Sequence, residues 1–318
     1  MDLSLAKLKL KLNVPWKLSR NTSLEKNNFI ITLNSNFQSE VAPNIRYQET
    51  PERIEKEFFE FKELLSTHDY EKALDKKSWA HSLRFALEAC WLQEKAASEG
   101  KTLSSYLGIS TPKTVSTSFS LPIMEIGNVK NYLAPLSRFQ SLKIKLNAEI
   151  AWELVREVTR HTSVKLRLDG NEAWLDYDQY KKFEEKCQGL NVEFVEQPFP
   201  ADLFDYYVEL KKTTPFLIMA DESIEDQQDF KKLARGFHAI NVKLMKTGSI
   251  LKAVHQLQTA KSLGLKTMIG CMIETSLGIS YAMNLNSLAD YIDLDGFLLI
   301  EQDPFGKVVE SEGNLTLI

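Results

Sequence analysis

From about residue 118 onward, short apolar β-rich runs alternate with amphipathic helical stretches. The runs are FSLPIM from Phe119, SLKIKL from Ser141, VKLRLD from Val164, NVEFVEQ from Asn191, PFLIMADE from Pro215, AINVKL from Ala239, LKTMIGCMIE from Leu265 and YIDLDG from Tyr291. They recur roughly every 25 residues, the length of one strand–helix unit with short loops. Between them lie helical patterns such as AEIAWELVREVTRH and DYDQYKKFEEKCQ. This alternation predicts parallel strands joined by right-handed helical crossovers. Eight units predict a TIM-type barrel, although an open doubly wound sheet uses the same grammar. No Gly-rich phosphate fingerprint follows the first run, which weighs against the open sheet.

The first part of the chain is patterned differently. KLKLKLNVPW and NNFIITLNSNFQSEVAP alternate apolar with polar residues, which predicts an antiparallel hairpin or meander. TPERIEKEFFEFKELLSTHD and SWAHSLRFALEACWLQEKAASEG read as helices, the first opening at Thr50-Pro51 and the second running out at Gly100. The expected organisation is an α/β chain. An α+β capping domain spans residues 1–114 and a modified (β/α) barrel spans 115–296. The tail, 297–318, is expected to pack back on the cap.

Composition narrows the function classes. A chain of 318 residues with 43% apolar and 26% charged residues is ordinary for a soluble globular protein. A net charge of -4 gives no sign of a nucleic acid or polybasic membrane partner. MDLSLAKLKLKLNVPW has no apolar core of signal-peptide length, and no apolar run is long enough to span a membrane. Cys90, Cys187 and Cys271 are scattered, which argues against a disulfide framework and predicts a reducing cytoplasm. No Cys/His cluster suits zinc.

The chemistry is expected at the carboxyl ends of the strands, where parallel α/β folds place their sites. In SLKIKL, Lys143 and Lys145 share one side of a strand. Later ends carry Asp169, Glu196, Asp221, Lys243, Glu274, and the pair Asp293 and Asp295. One acid at such a place is commonly a helix cap. A row of charges on successive strands is hard to explain that way, because a barrel gathers them at one mouth where like charges repel. Three carboxylates on adjacent strands need a cation, and an all-oxygen set selects a hard ion, Mg2+. Lys145 and Lys243 then flank the ion from opposite sides. A lysine acting as a base must be neutral part of the time, and a nearby cation or a second ammonium such as Lys143 favours that. Two bases on opposite faces of one carbon permit racemisation or epimerisation beside a carboxylate. Lys-X-Lys alone proves nothing, because Lys7, Lys9 and Lys11 repeat it in a strand expected at an edge or on the surface.

These residues, in this order, resemble the enolase superfamily, and within it the muconate-lactonizing-enzyme subgroup. The matching pieces are LKIKL, KLRLDGNEAW, VEQP, IMADES, INVKLMKTGSI and MIGCMIETSLGI, with SEVAPNIRYQETPE in the first part, so the resemblance covers nearly the whole chain. INVKLMKTG, MIET and above all DLDG are similar to the dipeptide epimerases. The resemblance implies that Asp169, Glu196 and Asp221 hold Mg2+. It implies that Lys145 and Lys243 are the acid/base catalysts acting through a metal-stabilised enolate, with Lys143 supporting Lys145 and touching the substrate carboxylate. It further implies that Asp293 and Asp295 hold the dipeptide's α-ammonium group and that Glu274 tunes groups near Lys243. Arg20 and Arg46 lie in segments resembling the specificity loops. Either could pair with an acidic side chain, as an L-Ala-D/L-Glu epimerase would need, or both are solvated surface arginines. The family is often homo-oligomeric, and its partner here would be a small-molecule dipeptide.

The sequence departs from the family at three places. Gly170 follows Asp169 where Ala is usual, Gly248-Ser249 replaces a doubled glycine, and the cap is short and altered, which leaves side-chain preference open. Other members of the superfamily, such as o-succinylbenzoate synthase, a cycloisomerase or an N-acylamino acid racemase, fit less well. An acidic pair at Asp293 and Asp295 repels a substrate without an amine. A non-catalytic binding protein on this fold is disfavoured by the complete set of carboxylates and lysines.

Overall fold

In the computed structural model, which describes residues 1–17, 22–76 and 78–318, an antiparallel sheet opens the chain. Its strands are β1 (Leu3–Lys17), β2 (Thr22–Leu33) and β3 (Phe37–Val41), in the order β1-β2-β3. β1 is therefore an edge strand. Its Lys7 and Lys9 side chains are 71% and 60% exposed and pair with Glu55 and Glu25. That surface setting is the one expected of the first Lys-X-Lys. The two predicted helices form at Pro51–Leu64 and His81–Ser98. Thr50 caps the first by accepting from Arg53 N–H, with Pro51 in the first turn where its missing donor costs nothing. A short helix at Tyr70–Asp75 lies between them.

β4 (Thr114–Ser116) leads into the barrel strands. These are β5 (Phe119–Leu121), β6 (Ser141–Lys145), β7 (Lys165–Asp169), β8 (Val192–Glu196), β9 (Leu217–Ala220), β10 (Ala239–Lys243), β11 (Lys266–Gly270) and β12 (Tyr291–Asp293). Each of the eight predicted runs holds one of them. All pair in parallel with their sequence neighbours, in one eight-stranded sheet. Ser118 N–H donates to Ile292 O at 3.3 Å, which draws the two outer strands together. The sheet is thereby a nearly closed barrel, not the open doubly wound alternative. Helices such as Ala151–His161 cover its outside and bury Leu154, Val155 and Val158 against it. Inside, Phe194, Met219, Ala239 and Met268 form a buried apolar cluster.

The tail adds β13 (Val308–Ser311) and β14 (Asn314–Leu317), a hairpin whose second strand pairs with β4. Upstream, Glu301 N–H donates to Lys11 O at 2.9 Å. The cap is tied to the barrel by buried polar bonds. Glu40 on β3 accepts from Thr275 N–H at 2.9 Å, and Asn28 on β2 donates to Ile273 O at 3.1 Å.

Candidate active site

Strand register builds the mouth of the barrel. In the ladders Lys145 stands beside Asp169, and Asp169 beside Glu196. Further round, Lys243 stands beside Gly270, and Gly270 beside Asp293. Asp221 follows β9 directly. One oxygen from each of Asp169, Glu196 and Asp221 lies within 4.8 Å of the others, and all three side chains are buried.

Among the described residues, four ammonium groups surround these carboxylates. Lys145 Nζ lies 2.5 Å from Asp169 Oδ2. Lys143 Nζ lies 3.1 Å from Asp169, 2.8 Å from Glu196 and 2.8 Å from Asp293. Lys243 Nζ meets Asp221 Oδ2 at 2.8 Å, and Lys246 Nζ meets Asp221 Oδ1 at 2.5 Å. Lys145 and Lys243 therefore stand at opposite ends of the acidic row, separated by β7, β8 and β9. Lys143 and Lys145 both point into the barrel mouth.

The electrostatics match a site built for a cation. Burial, then the Asp169 charge, push Glu196 up to about 7. Burial would raise Asp169 as well, but Lys145 and Lys143 hold it below its usual range. Glu196 Oε1 accepts from Asn241 Nδ2 at 2.8 Å. Its Oε2 is buried and meets the Lys143 ammonium at 2.8 Å. Three buried carboxylates, each offering an oxygen within 4.8 Å of the others, fit a hard divalent ion. This all-oxygen donor set fits Mg2+.

Asp293 and Asp295 border the same cavity, of about 500 Å³, together with Lys143, Lys145 and Lys243. Asp293 accepts from Ser118 Oγ at 2.7 Å and from Lys143. Burial alone would raise it, but Lys143 and that hydroxyl hold it at about 2. Asp295 accepts from Ser120 N–H at 2.6 Å. Burial, then the charge of Asp293, push it up to about 7.

The remaining predicted residues separate. Glu274 faces the joint with the cap: its Oε1 accepts from Met272 N–H at 2.7 Å, and burial followed by Glu40 pushes it up to about 8. A Cβ at Gly278 would stand 2.5 Å from Glu274 Oε2 and 3.1 Å from Glu40 Oε2, so a larger residue there would displace the Glu274 carboxylate. Arg46 lines the cavity, but its guanidinium binds both oxygens of Glu172 at 2.8 and 2.9 Å. Arg20 lies outside the described residues.

Sequence reading missed Lys246, Asn241 and Arg167. Arg167 Nη1 donates to Ser118 Oγ at 3.0 Å, bracing the hydroxyl that holds Asp293. Asn241 and Arg167 sit two residues before Lys243 and Asp169, so the side-sharing argument applied to Lys143 and Lys145 finds both. Lys246 carries no such signal, because it follows the strand in a helical turn.

Most of the chain is similar to known proteins. Residues 129–306 match the family described as Enolase C-terminal domain-like. An L-Ala-D/L-amino acid epimerase from Pedosphaera parvula is 33% identical over 290 residues, covering 87% of this chain and 82% of that protein. A second L-Ala-D/L-amino acid epimerase, from Flavobacterium johnsoniae, is 32% identical over 228 residues, 72% of this chain and 67% of that one. The solved structure of a dipeptide epimerase from Enterococcus faecalis, complexed with Mg and L-Leu-L-Tyr, superposes with a TM-score of 0.89. It is 26% identical and covers 99% of this chain and 96% of that one.

Proposed function

This chain belongs to the enolase C-terminal domain-like family and is an isomerase of the dipeptide-epimerase kind; on that premise we propose that it inverts an α-carbon beside a carboxylate with two lysines. The observation that carries this reading is the placement of Lys145 and Lys243 at opposite ends of the acidic row, each paired with a different outer carboxylate.

Asp295, backed by Asp293, holds the ammonium end of the dipeptide. The carboxylate end lies toward Lys143 and the acidic row. One of Lys145 and Lys243, as the free amine, takes the α-proton, and the C–H electron pair moves into the carboxylate. The other, as an ammonium, returns a proton to the opposite face. The two lysines end with exchanged protonation and reset through solvent. Asp169, Glu196 and Asp221 would hold Mg2+, which when bound stabilises negative charge building on the substrate carboxylate. Lys246 and Asn241 fix Asp221 and Glu196 in place.

The test is chiral separation of products after incubation with Mg2+ and individual L,L-dipeptides, L-Ala-L-Glu first. The L,D epimer is expected with Mg2+ and is expected to vanish after chelation, returning when Mg2+ is restored. Inversion that persists in full after chelation contradicts the assigned role of the three carboxylates.

A further inference from the structure

We propose that Lys26 receives a carboxylate on the substrate's side chain, so that acidic dipeptides are the preferred class; this rests on the epimerase reading above. Among the described residues, five cationic ones line the cavity: Lys26, Arg46, Lys143, Lys145 and Lys243. Four are already paired, Arg46 with Glu172, Lys143 and Lys145 with Asp169, and Lys243 with Asp221. Among the described residues Lys26 has no acidic partner, and its ammonium reaches only Ser23 Oγ at a long 3.5 Å.

Its position on β2 explains where it points. Lys26 and Asn28 share one side of the strand, two residues apart. The Asn28 amide bonds to Ile273 O on the loop after β11, so this side faces the barrel mouth. On the neighbouring edge strand, Lys7 and Lys9 lie in water beside glutamates. Lys26 instead is partly buried, next to a wall that includes Trp16, Ile273 and Leu299. Burial alone pushes its ammonium below the usual range. A cation in such a place, with no counter-charge, is poorly compensated.

A dipeptide brings two charges for which the cavity has other partners, the ammonium for Asp295 and the α-carboxylate for the lysines of the mouth. The unmatched cation calls for a third charge, a negative one. Of the two arginines expected to read an acidic side chain, Arg46 is committed to Glu172. Arg20 lies outside the described residues, and among the described cations that line the cavity Lys26 is the one with no acidic partner.

The test compares kcat/KM for L-Ala-L-Glu with that for its isosteric amide, L-Ala-L-Gln, in the wild type, Lys26→Met and Lys26→Glu. The wild type is expected to prefer the acid by at least about tenfold, equivalent to ~1.4 kcal/mol. Lys26→Met is expected to bring the ratio close to unity, and Lys26→Glu to move preference toward L-Ala-L-Lys. The ratio is insensitive to a fraction of misfolded protein. A wild type that treats acid and amide alike, or a Lys26→Met variant that slows both equally, overturns the proposal and leaves the epimerase reading standing. Inversion of no dipeptide at all overturns both.

Discussion

Asp293 and Asp295 are two residues apart and titrate in opposite directions. Lys143 and Ser118 keep the first ionised, while burial and that first charge push the second up to about 7. Pairing with a substrate ammonium needs the ionised form of Asp295. As pH falls through about 7, Asp295 in the free enzyme takes up a proton and the amine loses its partner. The account therefore predicts that kcat/KM declines on the acid side of neutrality. Asp295→Asn is expected to be slower throughout and to lose that limb, which a pH–rate profile reads directly. At the same scale, Gly170 has a steric reason. A Cβ there would stand 2.7 Å from Pro198 Cα and 3.0 Å from Gln197 O, so the alanine usual in the family does not fit this backbone. Ser249, where a second glycine is usual, caps the helix Ile250–Ser262 through Lys252 N–H and donates to Glu88 on the cap helix.

At the scale of elements, the joint between cap and barrel depends on Glu40. From the end of β3 it accepts from Asn28 Nδ2, Thr275 N–H, Thr275 Oγ and Gly278 N–H, the last three at the start of the helix Ser276–Met283. Removing a buried acceptor leaves these donors unsatisfied, at a cost of about 1–3 kcal/mol. Glu40→Ala is expected to lower the unfolding free energy by an amount of that order, read as a lower urea midpoint, with far-UV circular dichroism unchanged before the transition. The elements themselves were mostly legible in the sequence. Period-two alternation marked β1 to β3, and apolar runs punctuated by helical stretches marked β5 to β12, because burial on one face or on both leaves a clear pattern. The helix Tyr70–Asp75 and the β4–β14–β13 sheet escaped, because such short elements give periodicity little to act on.

The molecule as a whole turns scattered charges into one mouth. The sequence placed Lys145, Asp169, Glu196, Asp221 and Lys243 on successive strand ends, and the barrel converted that order into neighbours. Relations that do not follow strand order stayed hidden. Arg46 and Glu172 are 126 positions apart, and only the cap's seat on the barrel brings them together. The same seat sets Lys26 beside the cavity. The most direct test of the central claim follows the α-proton in D2O with Mg2+, by mass spectrometry, for the wild type, Lys145→Ala and Lys243→Ala. The account predicts deuterium at the inverted α-carbon with the wild type, and inversion slowed about 10²–10⁴-fold in each variant. Each variant should still exchange the one epimer whose proton faces its remaining lysine. Undiminished inversion in either variant, or inversion without solvent deuterium at the α-carbon over many turnovers, would contradict it.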